Sequence, residues 1–388
     1  MKFVIIGAGL NGLYLGYLLK RIRIDVDIYE KSSRPGGCNL ASGDAGGQIK
    51  TIDIFNTKVE CGLSKFGINN LDILYLIKKF NLSASQIKQF SNSDDNYINI
   101  LLKILDEYTN ENKSNISAYL YIKSILSIYE FDIFFKNIND DSILENNINI
   151  FMKKYFYHLF MKDDEIYLKI NSGMQSLTDN LAYLVQDRLY LNHTVQEITY
   201  MPITQQYILK INNSLFNADK LIITSNLDLK RTKLDIPREI IKQLKKIKVK
   251  PLLKIFTLHK SDIKIKPNTS IKANKLLIDV TTNSKNVLTI TINPLKTSIL
   301  LNLIESNNKK LVNKILDKLL INFPPIIDYA YCYWINGSNI ILEDIKTDFY
   351  DEYNLILANN SLKDALNAYN IIKAKLFVDK LKHEKDIL

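Results

Sequence analysis

Residues 2–19 read KFVIIGAGLNGLYLGYLL, and residues 25–38 read DVDIYEKSSRPGGC. The opening KFVII is a short continuous apolar run, the pattern of a strand buried on both faces of a parallel sheet. From Leu10 the apolar positions fall at Leu10, Leu13, Tyr14, Tyr17 and Leu18, which is one face of a helix. VDIYE then reads as a second strand that ends at Glu30. Strand, glycine turn, helix and strand within about thirty residues make a βαβ unit. In such a unit Gly7 tightens the turn, Gly9 lets backbone approach a pyrophosphate, and Gly12 lets the helix pack on the sheet. The helix N-terminus adds free N–H groups and the positive end of a dipole. A carboxylate ending the second strand accepts hydrogen bonds from ribose hydroxyls, and Glu30 stands there. A bare GxGxxG is a weak signal. Inside βαβ, with an acid so placed, it predicts a dinucleotide site rather than a glycine-rich packing turn.

The same stretch is apolar enough to pass for a signal sequence. It has a single basic residue before the apolar run, glycines inside it and no small-residue cleavage site after it, so that reading fails. No later stretch offers about 18 apolar residues free of charge, so no membrane span is expected. At 388 residues, 46% of them apolar, the chain is long enough for two domains and a sizeable core. Its net charge of +10 invites a nucleic-acid reading. The lysines, however, are scattered. The densest run, KQLKKIKVKPLLK from Lys242 to Lys254, alternates with Leu, Ile and Val as the solvated edge of a buried element does. Abundant Ile, Asn, Lys and Tyr match an AT-rich coding bias, and no nucleic-acid partner is expected. Cys38, Cys61 and Cys332 have no metal-ligand spacing and make no disulfide framework, which suggests a reducing, cytoplasmic setting. His158, His193, His259 and His383 form no metal set and no nucleophilic triad.

Along the chain, Leu71 to about Asp164 reads as mainly helical, with LDILYLIKKF and YINILLKILDEY amphipathic and NINDDSILENN a loop. From Gly173 a helix (MQSLTDNLAYLV) precedes short strands (VQEITYM, QYILKI, DKLIITS). Residues from about Leu229 to Ile335 mix a helix (REIIKQLKKI) with strands (LLKIFTLH, KLLIDVTT, VLTITINPL), and NLILA with a helix closes the chain. The expected fold class is α/β: a Rossmann-like nucleotide domain assembled from separated segments, 1–70, 165–228 and 336–388. An α+β substrate domain is inserted as 71–164 and 229–335.

The continuation YEKSSRPGGC resembles the segment after the ribose-binding acid in the FAD-dependent amine oxidase superfamily, which includes protoporphyrinogen oxidases and phytoene desaturases. There an Arg-x-Gly-Gly-Arg stretch runs along the FAD pyrophosphate; Arg34, Gly36 and Gly37 match it, and Cys38 replaces the second Arg. VECGLSKF is similar to the family's strand beneath the isoalloxazine ring, with Gly62 matching its glycine. INSGMQSLTDNLAYLVQDRLYLNHTVQEI resembles the middle FAD segment, where a Gly-Gly-Met-x-x-Leu helix leads to a Val whose backbone meets adenine. Gly173, Met174, Leu177 and Val195 match it, and Ser172 replaces the first glycine. The resemblance, over about a third of the chain, implies FAD as cofactor and a small-molecule substrate, an amine among the candidates. It implies that Lys254, in PLLKIFTL, holds a water against flavin N5; the other reading is an edge-strand lysine whose head reaches solvent. It sets Trp334 just before the substrate cage, where core packing is the competing role.

The resemblance breaks near the C-terminus. The family's Ala-Gly-Glu turn and Gly-Ala helix start face the flavin, whereas this chain has Asn359, Asn360, Ala365 and Ala368 there. Glycine permits close approach, so these side chains bear on how the ring is seated, although asparagine still allows the turn. INGSNIIL also lacks the tyrosine expected after Trp334. Two readings follow. One is an FAD-dependent oxidase passing hydride from an amine or similar C–H donor to flavin, with oxygen as acceptor. The other is a catalytically degenerate relative with a structural or binding role.

Overall fold

The computed structural model describes residues 1–35, 49–90, 95–108, 116–138, 141–152, 156, 166–225, 227, 229–264, 269–271, 277–294, 297–306, 309–320, 323–341, 346–358 and 369–373. The apolar opening forms strand β1 (Lys2–Ile6), which turns at Gly7 into helix α1 (Leu10–Arg21) and returns as β2 (Asp25–Tyr29). Both faces of β1 are covered. Phe3 and Ile5 pack with Leu13, Leu15 and Leu19 of α1, while Val4 and Ile6 pack into a second cluster on the opposite face. Each such side chain contributes about 1.5–3 kcal/mol by leaving water, which is why the run is uniformly apolar.

Around β1 a six-stranded sheet assembles in the order 348–349, 355–357, 220–223, β1, β2, 189–190. All its pairs are parallel except the outermost, between 348–349 and 355–357. The helix Gln175–Leu184 joins α1 on one face. A four-stranded sheet, ordered 214–218, 206–211, 195–201, 233–235, covers the other. The strand Leu355–Leu357 falls where NLILA predicted one, so segments from the two ends and the middle of the chain meet in one Rossmann-like sheet.

A larger sheet of eight strands runs 326–341, 247–259, 287–292, 277–282, 269–271, 84–90, 167–170, 66–67. Helices Thr297–Glu305 and Lys309–Leu319 pack on it through Leu300, Ile304, Val312 and Leu316. Helices Asp95–Glu107, Ala118–Ile125 and Ile128–Asn137 form a separate cluster about Leu101, Ile122 and Phe134. The region read as helical therefore also holds the strand Ala84–Phe90, whose alternation in SASQIKQF is masked by its polar residues. Among the described residues no helix is long and apolar enough to cross a membrane.

One expectation is overturned. Cys61 and Cys332, 271 residues apart, are joined by a disulfide in a small core of Val59, Phe256, Val287 and Trp334. Sequence spacing could not reveal the pair, because the two residues meet only where the strand Thr57–Glu60 packs against the large sheet.

Candidate functional site

The glycine turn is shaped by close contacts on one side and open space on the other. Gly7 adopts φ +106, a left-handed region that favours glycine. A Cβ on Gly12 would lie 1.9 Å from the Gly7 carbonyl oxygen and 2.8 Å from Thr224 Oγ1, so α1 can sit this close only without a side chain there. Thr224 Oγ1 donates to the carbonyls of Ile6 (3.0 Å) and Gly7 (2.9 Å), tying the turn to the strand Lys220–Ile223. A Cβ on Gly9, by contrast, would meet nothing within 4 Å. Gly9 is also the N-cap of α1 and brings no side-chain cap, so the first helical N–H groups are not capped by a side chain there.

Glu30 is buried, and its carboxylate bridges the turn and the next loop. It accepts from Ala8 N at 2.8 Å and from Ser32 N at 2.9 Å. Its backbone is equally fixed: its N–H donates to the Tyr190 carbonyl, and its carbonyl accepts from His193 N. Ser32 is buried as well, yet its hydroxyl makes no hydrogen bond among the described residues. A buried orphan hydroxyl is costly unless something fills its need, so Ser32 Oγ beside Glu30 fits a ligand rich in hydroxyls or phosphate oxygens. Val195 starts the strand Val195–Met201, two residues after His193, whose N–H reaches Glu30. Gly7, Gly9, Gly12, Glu30 and Val195 thus come together around one end of the parallel sheet. These residues fit the nucleotide portion of FAD.

Arg34 reaches across rather than outward. Its guanidinium donates to Gln175 Oε1 (2.6 Å), the Ile49 carbonyl (3.2 Å) and the Pro35 carbonyl (3.3 Å). It fastens the start of the RPGG segment to the helix Gln175–Leu184. Gly36 and Gly37 lie outside the described residues, as do Asn359, Asn360, Ala365 and Ala368 of the C-terminal motif.

The second part of the site is a joint between a two-stranded ribbon, β3 (Thr51–Ile54) and β4 (Thr57–Glu60), and the eight-stranded sheet. Lys254 sits in the strand Ile247–His259, which is paired on both sides and so is no edge. It is 3% exposed, which removes the solvent-reaching alternative. Its Nζ donates to the carbonyls of Glu60 (3.2 Å) and Gly62 (2.5 Å). Trp334, equally buried, donates its indole N–H to the Cys61 carbonyl at 2.8 Å. Three consecutive carbonyls, 60 to 62, are therefore held by two side chains of the large sheet.

Glu60 was not singled out from sequence. Its carboxylate accepts from Met174 N (2.8 Å) and Thr51 Oγ1 (3.0 Å), locking the ribbon to the helix that begins at Gln175. Burial raises its carboxyl above the ordinary range, and the Met174 N–H, the Thr51 hydroxyl and the nearby Lys254 and Lys169 ammoniums hold that rise down. Burial lowers Lys169 in turn, with Glu60 opposing. The available signal was an acid standing in the apolar stretch VEC, out of place unless hydrogen-bonded.

A family model described as an NAD(P)-binding Rossmann-like domain matches residues 5–70. No curated protein matches the chain by sequence. Among solved structures, putrescine oxidase with bound putrescine superposes with a TM-score of 0.75, at 13% identity, over 97% of this chain and 99% of its own. Cyclohexylamine oxidase from Brevibacterium oxydans IH-35A gives 0.73 at 12% identity, over 97% and 99%. A structure from Exiguobacterium sp. 255-15 described as protoporphyrinogen oxidase-like gives 0.64 at 13% identity, over the same shares. Similarity over almost the entire length of both partners carries the fold. The chain shares the mixed α/β fold of these amine oxidases, with a Rossmann-like domain at its start, as its motifs led one to expect.

Proposed function

We propose that the protein is an FAD-dependent oxidoreductase of amine-oxidase type, acting on a small-molecule amine or similar C–H donor. The observation that carries this reading is Lys254: a buried ammonium on an interior strand, aimed at the backbone of residues 60–62, the segment that resembles the strand beneath the flavin ring. Gly9 and the N-terminus of α1 would take the pyrophosphate, with Arg34 behind them. Glu30 and Ser32 would take the ribose, and the Val195 backbone the adenine. When bound, FAD would supply the hydride-accepting chemistry, with oxygen as final acceptor and hydrogen peroxide as product. Lys254 holds a water and places positive charge in a dry site, where charge acts strongly because little solvent screens it. Trp334 holds the Cys61 carbonyl, between the two that Lys254 takes. The substrate class is supported by the amines named for two structures of this fold, putrescine and cyclohexylamine oxidases.

The visible spectrum of the purified protein is the test. Absorption near about 450 nm that bleaches on adding a diamine or a cyclic amine supports the reading. Colourless protein that takes up no added FAD overturns it. Lys254→Met should keep the flavin and slow its reduction by amine about 100-fold, the scale seen on removing one aimed charge or donor. Unchanged turnover would remove Lys254 from the chemistry.

A further inference from the structure

We propose that Cys61 and Cys332 form a reversible redox tether that sets the position of Lys254 against the segment of residues 60–62. The part of this that concerns Lys254 rests on the proposed function; the tether itself does not. Cys332 is the direct cross-strand partner of Lys254, so both side chains leave the large sheet on the same face. They reach the same short segment. Lys254 Nζ takes the carbonyls of Glu60 and Gly62, and the sulfur of Cys332 takes the residue between them. The Cys61 carbonyl is held by Trp334 and its N–H by the Lys50 carbonyl, so Cys61 is fixed at every polar atom and at sulfur. Both cysteines are buried and closely packed.

Reduction changes this geometry. A dithiol reductant donates two electrons and two protons, the S–S bond breaks, two thiols form, and the reductant becomes its own disulfide. Two thiols cannot remain at bonding distance, so they separate to van der Waals contact. In a close-packed joint that movement displaces the segment carrying both lysine acceptors. Re-formation is equally balanced: two thiols and one hydrogen peroxide give one disulfide and two waters, by way of a sulfenic acid. Peroxide is the product of the proposed reaction, so turnover itself would keep the tether closed. With both sulfurs shielded from solvent, reductant acts only when the joint opens, which makes the tether slow to reduce.

The test begins with thiol counting by alkylation in denaturant, followed by mass measurement. The protein as isolated should take up one adduct, at Cys38, and three after prior reduction. Reduction should lower Tm by about 3–6 °C in the wild type and leave Cys332→Ala unchanged. In the FAD-loaded protein, reduction should also shift the pH profile of flavin bleaching by amine, again only in the wild type. Three adducts without reductant would overturn the proposal. So would a disulfide whose reduction moves neither Tm nor the pH profile. If the protein binds no FAD, the proposed function and the Lys254 part fall together, while the adduct count and Tm still decide the tether.

Discussion

At the scale of single residues, the three turn glycines separate into close-packed and open positions. Gly12 has the Gly7 carbonyl in the place of its missing Cβ, and a backbone oxygen cannot step aside as a flexible side chain can. Gly12→Ala should therefore cost about 2–4 kcal/mol of stability with or without nucleotide, measured as a urea midpoint of the apo-protein. Gly9 borders open space. Gly9→Ala should leave apo stability within about 0.5 kcal/mol, because a surface methyl there meets nothing. It should nevertheless weaken FAD binding about 10-fold or more in an equilibrium titration, because the methyl occupies the side from which phosphate comes. If both variants lose stability alike, the open side is not the phosphate side. Glu30 shows why the motif signals a site at all. A buried carboxylate that takes two backbone N–H groups, Ala8 and Ser32, already holds the loop in the shape a ribose would meet.

At the scale of elements, the strand Ile247–His259 ends on a histidine whose surroundings favour one protonation state. His259 Nδ1 lies 2.5 Å from the Pro324 carbonyl, which can only accept, so Nδ1 carries the proton and Nε2 receives the Thr257 hydroxyl at 2.9 Å. Burial pulls the ring below its ordinary pKa, with the Pro324 carbonyl and Asp317 opposing. In the window between the depressed folded value and about 6.5, the unfolded chain binds more protons than the native one. Stability from this group is thus present above about pH 6.5 and lost as the pH falls. Glu60, raised by burial, has the opposite sign, so the wild-type curve mixes the two. The difference between wild type and His259→Gln isolates the histidine: urea midpoints from pH 7.5 to 5 should fall less steeply in the variant. A steeper fall would mean that His259 is stabilised as a cation. Elements of this kind were legible where the pattern was uniform. KFVII, DKLIITS and NLILA read as strands because each holds an unbroken apolar run, 3–6, 221–223 and 355–358, that is buried throughout. The helices Thr297–Glu305 and Lys309–Leu319 were not read, because their apolar faces answer to a sheet assembled from distant segments.

At the scale of the whole molecule, the nucleotide end of the site was legible and the joint was not, for a reason of chain distance. Gly7, Gly9, Gly12 and Glu30 lie within one βαβ unit, so their spacing carries their geometry. The contacts of Lys254 with residues 60–62, of Trp334 with Cys61, and of Cys61 with Cys332 span about 190 to 270 positions, and no local pattern records them. That threading has a thermodynamic consequence. The large sheet takes in the short strands 66–67 and 167–170, which lie inside the segments 1–70 and 165–228 expected for the nucleotide domain, and the joint fastens it to the ribbon β3–β4. Neither sheet can unfold without withdrawing strands or anchors from the other. Heating should consequently give one transition, not two, by calorimetry. A ligand at 100 times its Kd stabilises by about 2.7 kcal/mol. With roughly 2.1 cal/mol/K of unfolding entropy per residue, saturating FAD should therefore raise the whole transition by about 3 °C. If the two parts were independent, FAD would shift only a fraction of the heat and leave a second peak in place. A split trace would thus locate the weak seam at the joint itself, where Lys254 and the disulfide meet residues 60–62.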